Sequence, residues 1–172
     1  MSAVSPHSLE PASTDFKVRV LLVDDQLIIV EAVRRMLAVH SDIDYHYVTD
    51  PAAALSTAQA LRPTVILQDL VMPGADGFSL IQAYRADPAL CAVPVIVLTT
   101  RDEAKLKAHG FAVGANDYLV KLPDQLELVA RIRHHSVGYI NGLRHEAAER
   151  ALQACRAELA QAQAELQALR GT

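Results

Sequence analysis

Five short strand-like runs, 18–23, 43–48, 65–67, 95–98 and 117–120, three of them dominated by aliphatic residues, alternate with segments whose apolar residues recur at helical spacing. No other feature constrains the fold as much. A strand that is aliphatic throughout must be covered on both faces, and strands separated by helical crossovers run parallel. Right-handed crossovers then leave a doubly wound open α/β sheet as the expected architecture.

The punctuation between the runs agrees with this reading. The first run stops at Asp24-Asp25, and Leu27, Val30, Val33 and Leu37 then mark one face of a helix. Asp50-Pro51 supplies a capping carboxylate and a proline at the first helical position, so a helix is predicted over 52–61, limited by Pro63. The third run ends at Gln68-Asp69, and a Pro/Gly loop leads to a helix over 77–84. The fourth ends at Thr99-Thr100, with Asp102 placed to cap a helix running to about His109. The fifth stops one residue before Lys121, and Pro123 or Asp124 opens the last helix.

Composition removes several classes of function. A net charge of -4, from 16 basic and 20 acidic residues, argues against a nucleic-acid binder that relies on bulk positive charge. Cys91 and Cys155 lie in no metal-ligand spacing, which argues against a disulfide scaffold and a structural zinc site. No apolar run reaches the roughly 20 residues that span a bilayer. The start of the chain lacks the basic-then-apolar layout of a signal peptide. The expectation is a soluble cytoplasmic protein without a membrane partner. Residues 1–15 carry Ser, Pro and scattered charge without periodicity and read as a flexible tail.

From residue 144 to 170 Ala, Glu, Gln, Arg and Leu dominate, and Pro and Gly are absent. These are good helix formers. Leu152, Leu159 and Leu166 are seven apart; as a positions they put Ala148, Cys155, Ala162 and Leu169 at d. His145 is then a polar a residue, and Ile140 and Leu143 join the seam only with a shift of register. A helical stalk forming a short parallel coiled coil is expected. Alanine at d makes such a coil weak, and therefore responsive to small energies from the preceding domain.

Ligands of an open parallel sheet collect at the carboxyl ends of its strands. Asp24, Asp25, Asp69, Thr99 and Lys121 all stand at such ends. Three converging carboxylates repel one another, and a divalent cation relieves this; all-oxygen ligands with room for water suit Mg²⁺ rather than zinc. A carboxylate beside Mg²⁺ can act as a nucleophile towards phosphorus. A lysine ammonium and a threonine hydroxyl can then meet the phosphoryl oxygens. Each residue alone would be an ordinary helix cap or a solvated charge. All five at the correct strand ends point to phosphoryl chemistry.

With these residues placed, four motifs carry a resemblance: VLLVDDQ (20–26), ILQDLVMPGADG (66–77), PVIVLTT (94–100) and NDYLVKLP (116–123). The chain resembles the receiver domains of bacterial two-component response regulators. That resemblance implies a flavodoxin-like five-stranded sheet of order 2-1-3-4-5, with a receiver over 16–138 and a stalk over 139–172 that extends the last helix. It implies Asp69 as phosphoacceptor, with Mg²⁺ held by Asp24, Asp25, Asp69 and the carbonyl of Val71, Asp25 being the more direct ligand. Thr99 is then the switch hydroxyl, Tyr118 the switch aromatic and Lys121 the phosphate-binding lysine. Val71 and Arg101 occupy the positions that tune loss of the phosphate. A sensor histidine kinase is the implied donor and a homo-oligomer the implied assembly, through the stalk or the face near the last helix. The family usually has Lys-Pro with a cis peptide after that lysine, whereas here Leu122 precedes Pro123, so the isomer is open.

The helical stalk narrows the resemblance to response-regulator diguanylate cyclases, whose output is a GGDEF domain. No GGDEF-like sequence is present, so this chain by itself is expected to be regulatory and not an enzyme. It is either a fragment or a receiver-plus-stalk protein complete in itself, and its length favours the fragment. A haloacid-dehalogenase phosphatase would need an acid/base aspartate where Gln26 stands. An FMN binder would not place two aspartates in its phosphate loop. The remaining alternative is a receiver-like interaction module that is never phosphorylated. His134-His135 are read as helix-dipole partners near the end of the last domain helix. Met36, Met72 and Phe111 are read as core.

Overall fold

The structure is a computed structural model, and it describes residues 17–100 and 103–170. The 1–15 tail, Arg101 and Asp102 lie outside the described residues.

Strands β1 (Val18–Val23), β2 (Ile43–Val48) and β3 (Val65–Asp69) are followed by the two-residue strands β4 (Val71–Met72) and β5 (Ala75–Asp76), then by β6 (Val95–Thr99) and β7 (Asp117–Val120). The helices are α1 (Leu27–Leu37), α2 (Ala54–Leu61), α3 (Gly77–Ala86), α4 (Ala104–Ala112) and α5 (Gln125–Arg170). The main sheet has the order β2-β1-β3-β6-β7, and every neighbouring pair is parallel. This is the expected order of five strands, because β4 and β5 pair only with each other in an antiparallel hairpin. That hairpin was not anticipated.

Alternation along the strands divides the core in two. Val20 and Leu22 face a cluster with Val33 and Leu37 of α1 and Leu128 and Ile132 of α5. Leu21 and Val23 face the opposite cluster, with Ala54 and Ala58 of α2 and Ile81 and Tyr84 of α3. Both faces of the sheet are therefore covered, as aliphatic parallel strands require.

The helix starts follow the sequence signals. Asp50 accepts from Ala52 N–H at 2.9 Å through Oδ1. Asp76 accepts from Phe78 N–H at 3.2 Å, and Asp124 from Leu126 N–H at 2.8 Å. Helix α4 begins after Glu103 at its N-cap position.

Helix α5 contains 46 residues, a rod of about 70 Å at 1.5 Å per residue. Leu128, Val129, Ile132, Ser136 and Ile140 are its buried residues, so the helix is fully buried nowhere past Ile140. Ser136 is fully buried and shares a hydrogen bond with Thr64 Oγ1 at 3.0 Å. That oxygen also accepts from Arg19 N–H at 2.8 Å. Arg85 ties the far side together: its guanidinium donates to the carbonyls of Val93, Cys91 and Gly114 and to Asn116 Oδ1.

Met72 is buried in one core cluster and half-buried Met36 packs against the other, as expected. Two expectations need correction. Phe111 is not core, being 51% exposed, because its position in α4 faces outward. His134-His135 stand at no helix end, since α5 continues to Arg170; His135 Nε2 instead lies 3.0 Å from Asp117 Oδ2.

Gly77 is required where it stands. A Cβ there would come 2.3 Å from the Asp69 carbonyl oxygen and 2.6 Å from Leu70 Cα. Gly142, on α5 past the last buried residue, would bring its Cβ near nothing. Gly77→Ala is therefore expected to destabilise the protein by about 2 kcal/mol or more. Gly142→Ala should stabilise its helix by about 1 kcal/mol. Urea denaturation followed by circular dichroism checks both; equal effects would refute the packing argument.

Candidate phosphoacceptor site

The site lies at the carboxyl ends of β1, β3, β6 and β7, where the strand order reverses about β1 and β3. Register does the positioning. Val23 is level with Gln68, so the next residues, Asp24 and Asp69, stand side by side. Thr99 is level with Val120, which brings Lys121 one step beyond the edge.

Oxygens of Asp24, Asp25 and Asp69 lie within 4.8 Å of one another. Asp24 is fully buried, Asp69 nearly so, and Asp25 half-buried. Lys121 Nζ sits 2.9 Å from Asp24 Oδ2 and 2.8 Å from Asp69 Oδ2. One ammonium thus faces three carboxylates. Burial raises the Asp24 pKa above its ordinary value, and the bond and charge from Lys121 only partly oppose it. Burial would lower the Lys121 pKa, but Asp69 and Asp24 outweigh it and hold the ammonium charged.

The remaining lone pairs are sparsely used. Asp24 Oδ1 accepts from Gln26 N–H at 3.0 Å, and Asp69 Oδ1 from Val71 N–H at 3.3 Å. Asp25 Oδ1 is buried with no hydrogen-bond partner among the described residues. An all-oxygen, carboxylate-rich pocket with one orphaned oxygen and excess negative charge fits a hard divalent cation.

The other predicted residues also converge here. Thr99 is buried at the end of β6, and its carbonyl accepts from Lys121 N–H at 2.7 Å. Val97 and Tyr118 are register partners in the same core cluster. Thr99, two residues after Val97, therefore shares Tyr118's face of the sheet. Tyr118 is 8% exposed, and its hydroxyl is buried with no hydrogen-bond partner among the described residues. Its ring lies so close to Gly110 that a Cβ there would be 2.9 Å from Cε2. The Val71 side chain is 71% exposed at the mouth. The Lys121-Leu122 peptide is trans, and Leu122 takes a left-handed φ of 57°.

Two residues that hold the end of β3 at Asp69 were not anticipated. Gln68, fully buried, donates through Nε2 to the Asp69 carbonyl at 2.8 Å, and Tyr84 Oη donates to Gln68 Oε1 at 3.0 Å. A glutamine inside an otherwise aliphatic strand was the available signal, because a buried amide demands partners.

Residues 20–133 match the family model for the response regulator receiver domain. The chain is 36% identical over 118 residues to Response regulator PleD of Caulobacter vibrioides, covering 67% of this chain and 25% of that protein. It is 35% identical over 115 residues to the DNA-binding dual master transcriptional regulator RpaA of Synechocystis sp., covering 67% of this chain and 47% of that protein. The match thus spans less than half the length of either relative. Among solved structures, Vibrio cholerae chemotaxis protein CheY4 has a TM-score of 0.65 at 31% identity, covering 69% of this chain and 98% of that one. The receiver domain of sensor histidine kinase PA1611 from Pseudomonas aeruginosa has a TM-score of 0.64 at 27% identity, covering 70% and 98%, and holds a magnesium ion in its active-site cleft. Fold, strand-end chemistry and family match agree: the chain belongs to the response regulator receiver domain family.

Proposed function

We propose that Asp69 accepts a phosphoryl group from the phosphohistidine of a sensor histidine kinase and that this event switches the stalk. The observation that carries the reading is the Lys121 ammonium set between Asp24 and Asp69, with Asp25 beside them and too little positive charge to balance the three. An Asp69 oxygen forms the new O–P bond while the P–N bond of the donor breaks, and its electron pair leaves with the imidazole. Asp24, Asp25, Asp69 and the Val71 carbonyl would hold Mg²⁺, which when bound supplies positive charge against the phosphoryl oxygens.

Lys121 is already at the Asp69 oxygen and would follow the charge onto the phosphoryl group. The Thr99 hydroxyl would donate to another phosphoryl oxygen. Its displacement changes the surroundings of Tyr118, whose buried, unpartnered hydroxyl leaves about 1–3 kcal/mol to be recovered by a new partner. β7 and α5 are the next elements along the chain, and α5 is continuous with the stalk.

A receiver over 16–138 and a stalk over 139–172 suit this scheme, since the last buried residue of α5 is Ile140. Gly138 and Gly142 flank that point, and each weakens a helix by about 1 kcal/mol relative to alanine. Beyond it Leu152, Leu159 and Leu166 are 51%, 58% and 55% exposed in the single chain, a seam suited to a parallel partner. In a longer protein the stalk would pass the switch to an output domain, for which the stalked receiver suggests a diguanylate cyclase.

Three expected outcomes test this reading. Incubation with Mg²⁺ and acetyl phosphate should add one phosphoryl mass to the parent but not to Asp69→Asn; absence of the adduct in folded, Mg²⁺-bound parent would favour the unphosphorylated interaction module. Val71 offers no hydrogen bond to an attacking water, so Val71→Asn should lose phosphate several-fold faster, measured by decay of the mass adduct. Mild oxidation should link Cys155 to Cys155 in a parallel stalk dimer; a chain that stays monomeric on non-reducing gels after both phosphorylation and oxidation would refute the coiled coil.

A further inference from the structure

The opposite end of the sheet carries a second concave feature, a cleft of about 670 Å³ between the base of the receiver and the first turns of the stalk. Four cations border it: Lys17 and Arg19 at the start of β1, Arg62 between α2 and β3, and Arg150 on the stalk. Convergence of four bases is unexpected in a chain with four more acids than bases. Among the described residues Arg19 alone of these has an ion-pair partner, Asp44 at 3.7 Å, and it also donates to the Leu61 carbonyl at 2.6 Å. Lys17, Arg62 and Arg150 have no ion-pair partner among the described residues, and Arg150 donates only to the Glu146 carbonyl at 3.3 Å.

The walls are of a different character. Half-buried Tyr139 and Leu143 line one side, giving an aromatic and an aliphatic surface. Arg62 is near enough to Tyr139 to pull its phenol pKa down against burial, and Glu146 is near enough to push it up. Arg62 is held at the end of α2 in the left-handed conformation, φ 51° and ψ 64°, where glycine is the usual residue. Such a conformation persists only where the surroundings fix it. The floor is rigid as well, because buried Thr64 is bonded to the Arg19 backbone and to Ser136.

We propose that this cleft binds a soluble nucleoside di- or triphosphate. Its volume lies within the range of small-ligand pockets. Arginine and lysine supply charge-assisted bonds to several phosphates, and Tyr139 with Leu143 supplies a face for the base. Lys17, Arg19 and Arg62 belong to the receiver, whereas Arg150 lies ten residues past the last buried residue of α5. A ligand held by both would clamp the stalk at one angle to the sheet, at the end remote from Asp69. The cleft shares no residue with the phosphoacceptor site, so it stands or falls separately from the phosphorylation reading.

GTP, ATP, pyrophosphate and inorganic phosphate should be titrated into the full chain in EDTA, with backbone amide NMR as the readout. The nucleotides are expected to bind saturably and more tightly than inorganic phosphate, with shifts at Arg62, Tyr139 and Leu143 and none at Asp24 or Asp69. The exposed pair Arg62→Ala plus Arg150→Ala should weaken binding by roughly tenfold or more, with unchanged circular dichroism. The proposal is overturned by no saturable shift up to millimolar nucleotide, by binding that survives the double substitution, or by inorganic phosphate binding as tightly as GTP. Attachment to phosphatidylglycerol vesicles without nucleotide binding would assign the cations to a lipid surface and overturn it too.

Discussion

The contact between one lysine and two aspartates organises this molecule. Lys121 follows β7, Asp24 follows β1 and Asp69 ends β3, and neighbouring strands of a sheet are about 4.8 Å apart. β6 separates β3 from β7, so a short side chain after β7 could not reach Asp69. The long lysine stem crosses that gap and delivers the ammonium to both carboxylates. Burial makes the contact consequential. Charges taken from water lose several kcal/mol of hydration each, and excellent local pairing must offset it. Two of the three carboxylates are paired in this way, and the third carries the orphaned oxygen.

The rest of the fold holds that contact in register. The Asp69 carbonyl is pinned by Gln68, which is fixed by Tyr84, and the backbone of α3 approaches it closely only because Gly77 has no Cβ. Arg85, at the end of the same helix, holds the loops around Val93 and Gly114 against β6 and β7. On the other face α5 is anchored by Leu128, Ile132 and the Ser136–Thr64 bond. A change at the strand ends thus meets a stiff sheet and a helix seated on it. Ile140, the last buried residue of α5, lies between Gly138 and Gly142.

Much of this was legible in the sequence because parallel strands announce themselves as aliphatic runs and their carboxyl ends as the next polar residue. Asp24, Asp69 and Lys121 were found by that reasoning, as was the strand order once the resemblance was in hand. The β4–β5 hairpin was not, because two-residue strands have no periodicity. Phe111 was misjudged since hydrophobicity does not reveal which face of α4 it occupies. The histidines at 134 and 135 were misjudged because a helix end was assumed where the helix runs on. Tyr84 and Gln68 carried no local pattern that pairs them; 16 residues apart, they meet only when α3 packs on β3.

The most direct test of the central contact is the Mg²⁺ affinity of Lys121→Met compared with the parent, measured by calorimetry at neutral pH. If the ammonium occupies the space between Asp24 and Asp69 and partly neutralises them, its removal should tighten Mg²⁺ binding several-fold, and Asp25→Asn should weaken it. Unchanged or weaker binding in a folded Lys121→Met protein would contradict the account, since the lysine would then not be competing for the carboxylates that hold the metal.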